Sequence, residues 1–92
     1  MSKELDLGNG YTGYLFACSE AHPHPSGYAG VTVRHATPDG NQCGHIATWD
    51  GSHDPDHTWE LVSIDPLHIE PSILCHTCGD HGWIRNGQWV KA

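Results

Sequence analysis

A stretch near the C-terminus combines the side chains that bind transition metals most readily. Cys75 and Cys78 are separated by two residues, and His81 follows Cys78 after another two. Thiolates and imidazoles are the usual ligands of zinc, and this spacing puts three of them within reach of one small cation. We expect Gly79 and Gly82 to supply the backbone freedom that such a tight loop needs. The spacing therefore predicts most of a zinc site.

A closed structural site needs a fourth ligand, which must come from elsewhere in the chain. Cys43 is our first choice, because a remote ligand at the start of a separate strand would tie distant segments together. His45 is the alternative fourth ligand, followed by His76 and Cys18. Three thiolates around one zinc ion are typical of structural centres, so we expect no catalytic residue. The predicted metal set is Cys43, Cys75, Cys78 and His81.

The four cysteines would also permit two disulfides, which are common in small secreted proteins. However, the N-terminal residues include acids where a signal peptide would have an apolar region. No stretch approaches the roughly 18 apolar residues of a membrane span. We therefore expect a soluble protein that is not exported, and we favour zinc over disulfides.

A second segment rich in histidine and aspartate allows a different chemistry. His53, Asp54, Asp56 and His57 are similar to the ligands of hydrolytic metal sites. Pro55 prevents a helix that would place both histidines on one face, so we favour an exposed loop. The alternative function is a small metal-dependent hydrolase or nuclease that uses His53, Asp56 and His57.

Other polar residues allow two weaker hypotheses. Asp80 or Glu70 would act as acid or base if the zinc ion kept an open position for water. His22 and His24 would form a second metal site, although the two neighbouring X-Pro steps favour a solvated connection instead.

The charge balance bears on the choice of partner. The chain carries 11 acidic residues and only 4 lysines and arginines, which gives a formal net charge of −7. Four scattered cations form no basic patch, so direct binding to nucleic acid through phosphate contacts is not expected. A basic partner protein suits this surface better, and an acidic mimic of nucleic acid is a further alternative.

Composition and local patterns predict a small, mostly-β single domain over residues 1–92, stabilised by the zinc ion. Eleven glycines and six prolines favour short antiparallel strands and hairpins with little or no helix. Asn86-Gly87 is the clearest turn, because this dipeptide favours the type I′ conformation of tight hairpins. The predicted strands are 10–17, 28–36, 42–50, 58–64, 67–70, 83–85 and 88–90.

The C-terminal third resembles the signature of a group of small mycobacteriophage proteins of unknown function. That group is in turn similar to a wider uncharacterised phage and bacterial domain family that ends in Cys-x2-His, an aromatic residue and Ile-Arg-x-Gly. The match is specific over residues 67–92 and weaker over 4–13 and 38–43. The residues that carry it are Pro71-Ser72-Ile73-Leu74-Cys75, Cys78-Gly79-Asp80-His81-Gly82-Trp83-Ile84-Arg85, Gly87 and Trp89-Val90.

The resemblance implies a phage accessory protein that works in the cytoplasm of the host cell. It supports Cys78 and His81 most strongly as ligands, followed by Cys75 and Cys43. The wider family often has a second cysteine near the position of Cys43, where this chain has His45. The leading hypothesis is therefore a noncatalytic zinc-binding phage protein that binds a host protein and modulates its activity.

Overall fold

Antiparallel β-strands joined by turns and short connections make up the described part of the chain. The computed structural model describes residues 2–21, 23–36, 40, 42–51, 58–74 and 79–92. These residues form eight strands in two sheets and contain no helix, which confirms the predicted β-rich fold with hairpins. The strands are β1 (Ser2–Gly8), β2 (Tyr11–Ala17), β3 (Tyr28–Ala36), β4 (Gln42–Thr48), β5 (Glu60–Ile64), β6 (Leu67–Leu74), β7 (His81–Arg85) and β8 (Gln88–Lys91).

Each sheet is a simple meander of consecutive strands. Sheet A has the order β1-β2-β3-β4, and sheet B has the order β5-β6-β7-β8. Strand β1 is absent from the sequence-based prediction, whose first strand begins at residue 10. It is joined to β2 by a turn at Asn9 and Gly10. Both turn residues have positive φ, 55° at Asn9 and 82° at Gly10, as a tight hairpin requires. The N-terminal segment therefore closes sheet A as an edge strand.

The two sheets share one hydrophobic core, to which alternate residues of the strands contribute. In β2, for example, Tyr11, Gly13 and Leu15 are buried, whereas the residues between them are half-buried. The core combines aliphatic side chains with three aromatic ones. Its buried members are Leu7, Tyr11, Leu15, Val31, Val33, Ala47, Trp49, Leu67, Ile69, Ile73, Ile84 and Trp89.

The C-terminal hairpin has the predicted turn. Asn86 and Gly87 have φ values of 53° and 75°, which suit the type I′ conformation and confirm the interpretation of this dipeptide. Strand β6 runs further than predicted, through Pro71 to Leu74, with a register shift against β7 between Ile69 and Ile73. The longer strand carries the chain directly to the cysteine-rich segment. The described residues include no helix long and apolar enough to cross a membrane.

Candidate metal centre

A row of three side chains crosses one end of sheet A. The strand register sets Tyr11 of β2 opposite His35 of β3, and His35 opposite Cys43 of β4. Directly opposed residues of an antiparallel pair share one face of the sheet. All three are buried, with 6%, 8% and 5% of their surface exposed, so the row faces the core. A phenol, an imidazole and a thiol are thus placed side by side beneath sheet B.

Aromatic stacking holds this row against sheet B. The Tyr11 ring stacks on His35 with centroids 4.9 Å apart, and on Trp89 of β8 with centroids 4.8 Å apart. The interplanar angles are 20° and 14°, so the three rings are close to parallel. His35 is thus held against Tyr11, and Tyr11 in turn against Trp89 of sheet B.

Asp80 links the β6–β7 connection to the same row. Its carboxylate accepts a hydrogen bond from the Tyr11 hydroxyl, and its Oδ2 atom lies 3.7 Å from His35 Nδ1. The Asp80 side chain is 15% exposed, so these contacts are shielded from water. Asp80 comes two residues after Cys78 in the chain. The end of the cysteine-rich connection therefore contacts the end of sheet A that carries Cys43.

His45 lies on the same face of β4 as Cys43, because residues two apart in a strand point the same way. Its ring is 6.4 Å from His35 and 6.0 Å from Trp89 between centroids. Both ring nitrogens are inaccessible to solvent, and neither has a hydrogen-bond partner among the described residues. The indole nitrogen of Trp89 is also inaccessible to solvent and has no hydrogen-bond partner among the described residues. Buried polar atoms without partners are rare in folded proteins, and an ordered water or a bound ion is a common explanation.

His81 is placed differently from the other candidate ligands. It is the first residue of β7, it is exposed, and its Nε2 atom is 2.7 Å from the Ser72 hydroxyl oxygen. Its ring also stacks on Trp83 with a centroid separation of 5.9 Å. These contacts lie at the surface, whereas the Cys43 side chain is buried on the core-facing side of sheet A.

The two glycines of the predicted metal loop have different structural roles. Gly79 has a φ of 77°, which agrees with the expected need for backbone freedom. Gly82 lies within β7 and needs space instead. A Cβ atom there would come within 2.5 Å of the Val90 carbonyl oxygen and 2.7 Å of Trp89 Cζ2. The prediction of backbone freedom at Gly82 is therefore wrong, because close packing is what requires glycine there.

Several predicted site residues lie outside the part of the chain that the structure describes. They are Cys75, His76, Cys78, His22, His53, Asp54, Pro55, Asp56 and His57. Within residues 2–21, 23–36, 40, 42–51, 58–74 and 79–92, no group of three histidine, cysteine or acidic side chains is placed to hold a metal ion. His24, which is described, is half-buried and its Nδ1 is 2.8 Å from the Ser26 hydroxyl oxygen. The zinc ion and its ligand set remain predictions.

The site contains three residues to which sequence reasoning gave no role as metal-site neighbours. Tyr11 and His35 form the row with Cys43, and Trp89 covers it from sheet B. A signal for His35 was present, because the alternation Val31, Val33, His35 predicts a shared face. The contacts between the sheets carry no comparable signal, since they depend on how the two sheets pack.

Sheet B carries a second polar cluster on its outer face. His68 Nε2 is 3.0 Å from Glu70 Oε1, and Arg85 Nε is 3.5 Å from the same oxygen. The hydrogen bond with His68, together with the nearby Arg85 charge, lowers the pKa of Glu70 below its ordinary value, against a smaller opposing effect of desolvation. The Arg85 guanidinium also lies 4.7 Å from the centre of the Trp83 ring. Glu70 is thus held by ion pairing, and Asp80 by the buried row.

Comparisons with protein-family models, with curated proteins and with solved structures find no match.

Proposed function

We propose that this chain is a noncatalytic zinc-binding protein in which the metal fastens the cysteine-rich β6–β7 connection to sheet A. The observation that carries the proposal is the contact of Asp80 with Tyr11 and His35. It brings Asp80, which follows Cys78 by two residues in the chain, to the row that contains Cys43. A ligand set drawn from β4 and from the β6–β7 connection would add a metal cross-link to the hydrogen bond between Tyr11 and Asp80.

The chemistry of the described residues fits a zinc ion. Cys43 offers a buried sulfur ligand, and His45 offers buried ring nitrogens that have no partner among the described residues. The bound metal would supply a rigid cross-link between distant parts of the chain. A small domain gains from such a link, because its core alone gives little margin of stability.

The resemblance to phage proteins supports a role in binding a host protein and modulating its activity in the host cytoplasm. A net charge of −7 favours a basic partner. Trp83 is the best anchor among the described residues, since aromatic side chains are enriched in interfaces. It is half-buried on the outer face of sheet B beside Val90, which is 41% exposed. Trp89, by contrast, is 2% exposed and belongs to the core.

Metal analysis tests the zinc site directly. Protein purified without added chelator should hold one zinc ion per chain, and the double variant Cys75→Ser, Cys78→Ser should hold none. Cys18→Ser is the matched control, because Cys18 is a half-buried cysteine that forms no disulfide and lies outside the row. It should retain the full zinc content. Parent protein that contains no zinc after refolding with excess zinc would overturn the proposal.

Partner binding needs a separate experiment. Affinity capture from host lysate with zinc present should enrich a basic protein, and the Trp83→Ala variant should lose that protein. Val62→Ala is a useful control, because Val62 is 54% exposed on the edge strand β5 of the same sheet. Equal capture by parent and Trp83→Ala would remove Trp83 from the proposed interface.

A further inference from the structure

We propose that His45, rather than His81, supplies the imidazole ligand of the metal centre. Cys43 and His45 are then the two ligands that come from sheet A. The inference rests on the proposed zinc function and assigns the ligand within it. Three observations carry it: the shared face of Cys43 and His45, the burial of both His45 nitrogens, and the exposure of His81 at the surface of sheet B.

The strand geometry favours Cys43 and His45 as a pair. Only Gly44 separates them, and both precede Ala47 on the core-facing side of β4. Side chains at positions i and i+2 of a strand project from the same face, so one cation above that face is within reach of both. Strand β4 is at the edge of sheet A. No further strand of that sheet therefore stands between β4 and a ligand from another segment.

The two ring nitrogens of His45 are buried and need a partner that the described residues do not supply. An imidazole always carries at least one N–H donor, and in its neutral form the other nitrogen is an acceptor. Both atoms are withdrawn from water here, and neither is satisfied among the described residues. Metal coordination would satisfy one nitrogen. Such coordination would also explain why a polar ring lies between His35 and Trp89 instead of pointing to solvent.

The other described histidines near the site have different partners. His81 is exposed on β7, and its Nε2 is 2.7 Å from the Ser72 hydroxyl oxygen. His35 presents Nδ1 to Asp80 and its face to Tyr11. We assign His35 the task of positioning the β6–β7 connection, and His81 a place in the surface of sheet B.

Cobalt substitution tests the assignment on the full chain. Co²⁺ bound by thiolates and imidazole gives visible bands that report the donor set, and titration gives the affinity. His45→Asn should weaken Co²⁺ binding more than about 100-fold, beyond the roughly 10- to 100-fold effect of losing a group that only orients a ligand. His81→Asn and His35→Asn are the matched controls and should weaken binding less. Strong loss of affinity in either control, with normal affinity in His45→Asn, would overturn the assignment.

A second variant keeps the test decisive if His45→Asn fails to fold. His45→Cys replaces the imidazole with a thiolate, so it should retain tight binding and raise the thiolate-to-cobalt absorption by about a third as four thiolates replace three. An unchanged spectrum would mean that His45 does not touch the metal, as expected if a buried water bridges His45 and Trp89 instead. A parent protein that binds no metal would refute the zinc function itself. A parent that binds zinc through His81 would refute only the choice of histidine.

Discussion

The inner end of sheet A and the outer face of sheet B contain the same kinds of side chain in different surroundings. The inner cluster consists of Tyr11, His35 and Asp80, and the outer cluster consists of His68, Glu70, Trp83 and Arg85. Each therefore contains a histidine, a carboxylate and an aromatic ring. The side chains of His35 and Asp80 are 7% and 15% exposed, whereas those of His68 and Glu70 are 31% and 36% exposed. Exposed ion pairs contribute little to stability because water and salt screen them. Buried polar groups are costly to leave without partners, so the inner cluster has much more influence on the fold.

This contrast separates a structural centre from a surface. The inner cluster joins the two sheets through the stacking of Tyr11 on Trp89 and the hydrogen bond of Tyr11 to Asp80. The outer cluster lies on one sheet and can change without disturbing the core. The proposed binding surface on sheet B could therefore diverge while the proposed metal centre held the fold together.

Removal of the metal should have the largest effect on the inner cluster. Structural zinc sites have apparent binding free energies on the order of 10–16 kcal/mol. Typical domains have a total stability of only about 5–15 kcal/mol, so the metal can supply most or all of it. Treatment with a strong chelator should therefore unfold the protein, with loss of the far-ultraviolet circular dichroism signal of the sheets. The control is the same chelator saturated with zinc. A fold that survives complete metal removal would show that the core alone is sufficient.

Tryptophan substitutions compare the two regions in one measurement. Trp89 is 2% exposed and stacks on Tyr11, so Trp89→Ala should cost about 3–5 kcal/mol of unfolding free energy. Trp83 is half-buried on the outer face, and Trp83→Ala should cost about 1 kcal/mol. Urea unfolding of both variants with zinc present measures the difference. Equal costs would contradict the division into a core and a surface tryptophan.

Tyr11→Phe isolates the hydrogen bond between the sheets, because it keeps the ring and removes only the hydroxyl. Hydrogen bonds to charged groups contribute about 1.5–3 kcal/mol, and the change leaves Asp80 without this donor. We expect a loss of that size in urea unfolding. Tyr14→Phe is the matched control in the same strand, since Tyr14 faces the outer side of sheet A and surface changes are usually within about 0.5 kcal/mol. A similar loss in both variants would assign the effect to β2 rather than to the contact with Asp80.

The predictable part of the fold is the part encoded by local pattern. Asn86-Gly87 specified its hairpin because its two residues accept positive φ. The alternation in β3 specified a strand because every second residue is apolar. Strand β1 was not predicted because it contains three charged residues, Lys3, Glu4 and Asp6, and only Leu7 is fully buried. Strand β1 lies at the edge of sheet A, where charged residues discourage pairing with other chains.

The site was less predictable than the fold, since it depends on contacts between distant segments. Cys43 was a candidate because it begins a separate strand, with His45 as the alternative, and the structure places both on one face of β4. The sequence did not distinguish the exposed side chain of His81 from the half-buried side chain of His45, whose ring nitrogens are shielded from water. That distinction depends on how the sheets pack, which the period of a strand does not encode. The role of Gly82 was misjudged for the same reason, because the Trp89 ring that excludes a Cβ atom comes from β8.

The smallest expected effect belongs to the outer cluster and concerns acid. The pKa of Glu70 is lowered in the folded protein, chiefly by its hydrogen bond with His68. A lowered folded-state pKa means that the contribution to stability is present above the ordinary glutamate pKa and is lost as pH falls through the folded value. The parent should therefore lose slightly more stability than Glu70→Gln between about pH 6 and pH 3. Both proteins lose the metal alike in acid, so wherever both remain folded the difference between their urea midpoints reports Glu70 and its contacts with His68 and Arg85. Glu20→Gln, an exposed change outside the cluster, provides the baseline. If Glu70→Gln followed the parent at every pH, the outer cluster would contribute nothing to folding, and its residues would be free to serve binding alone.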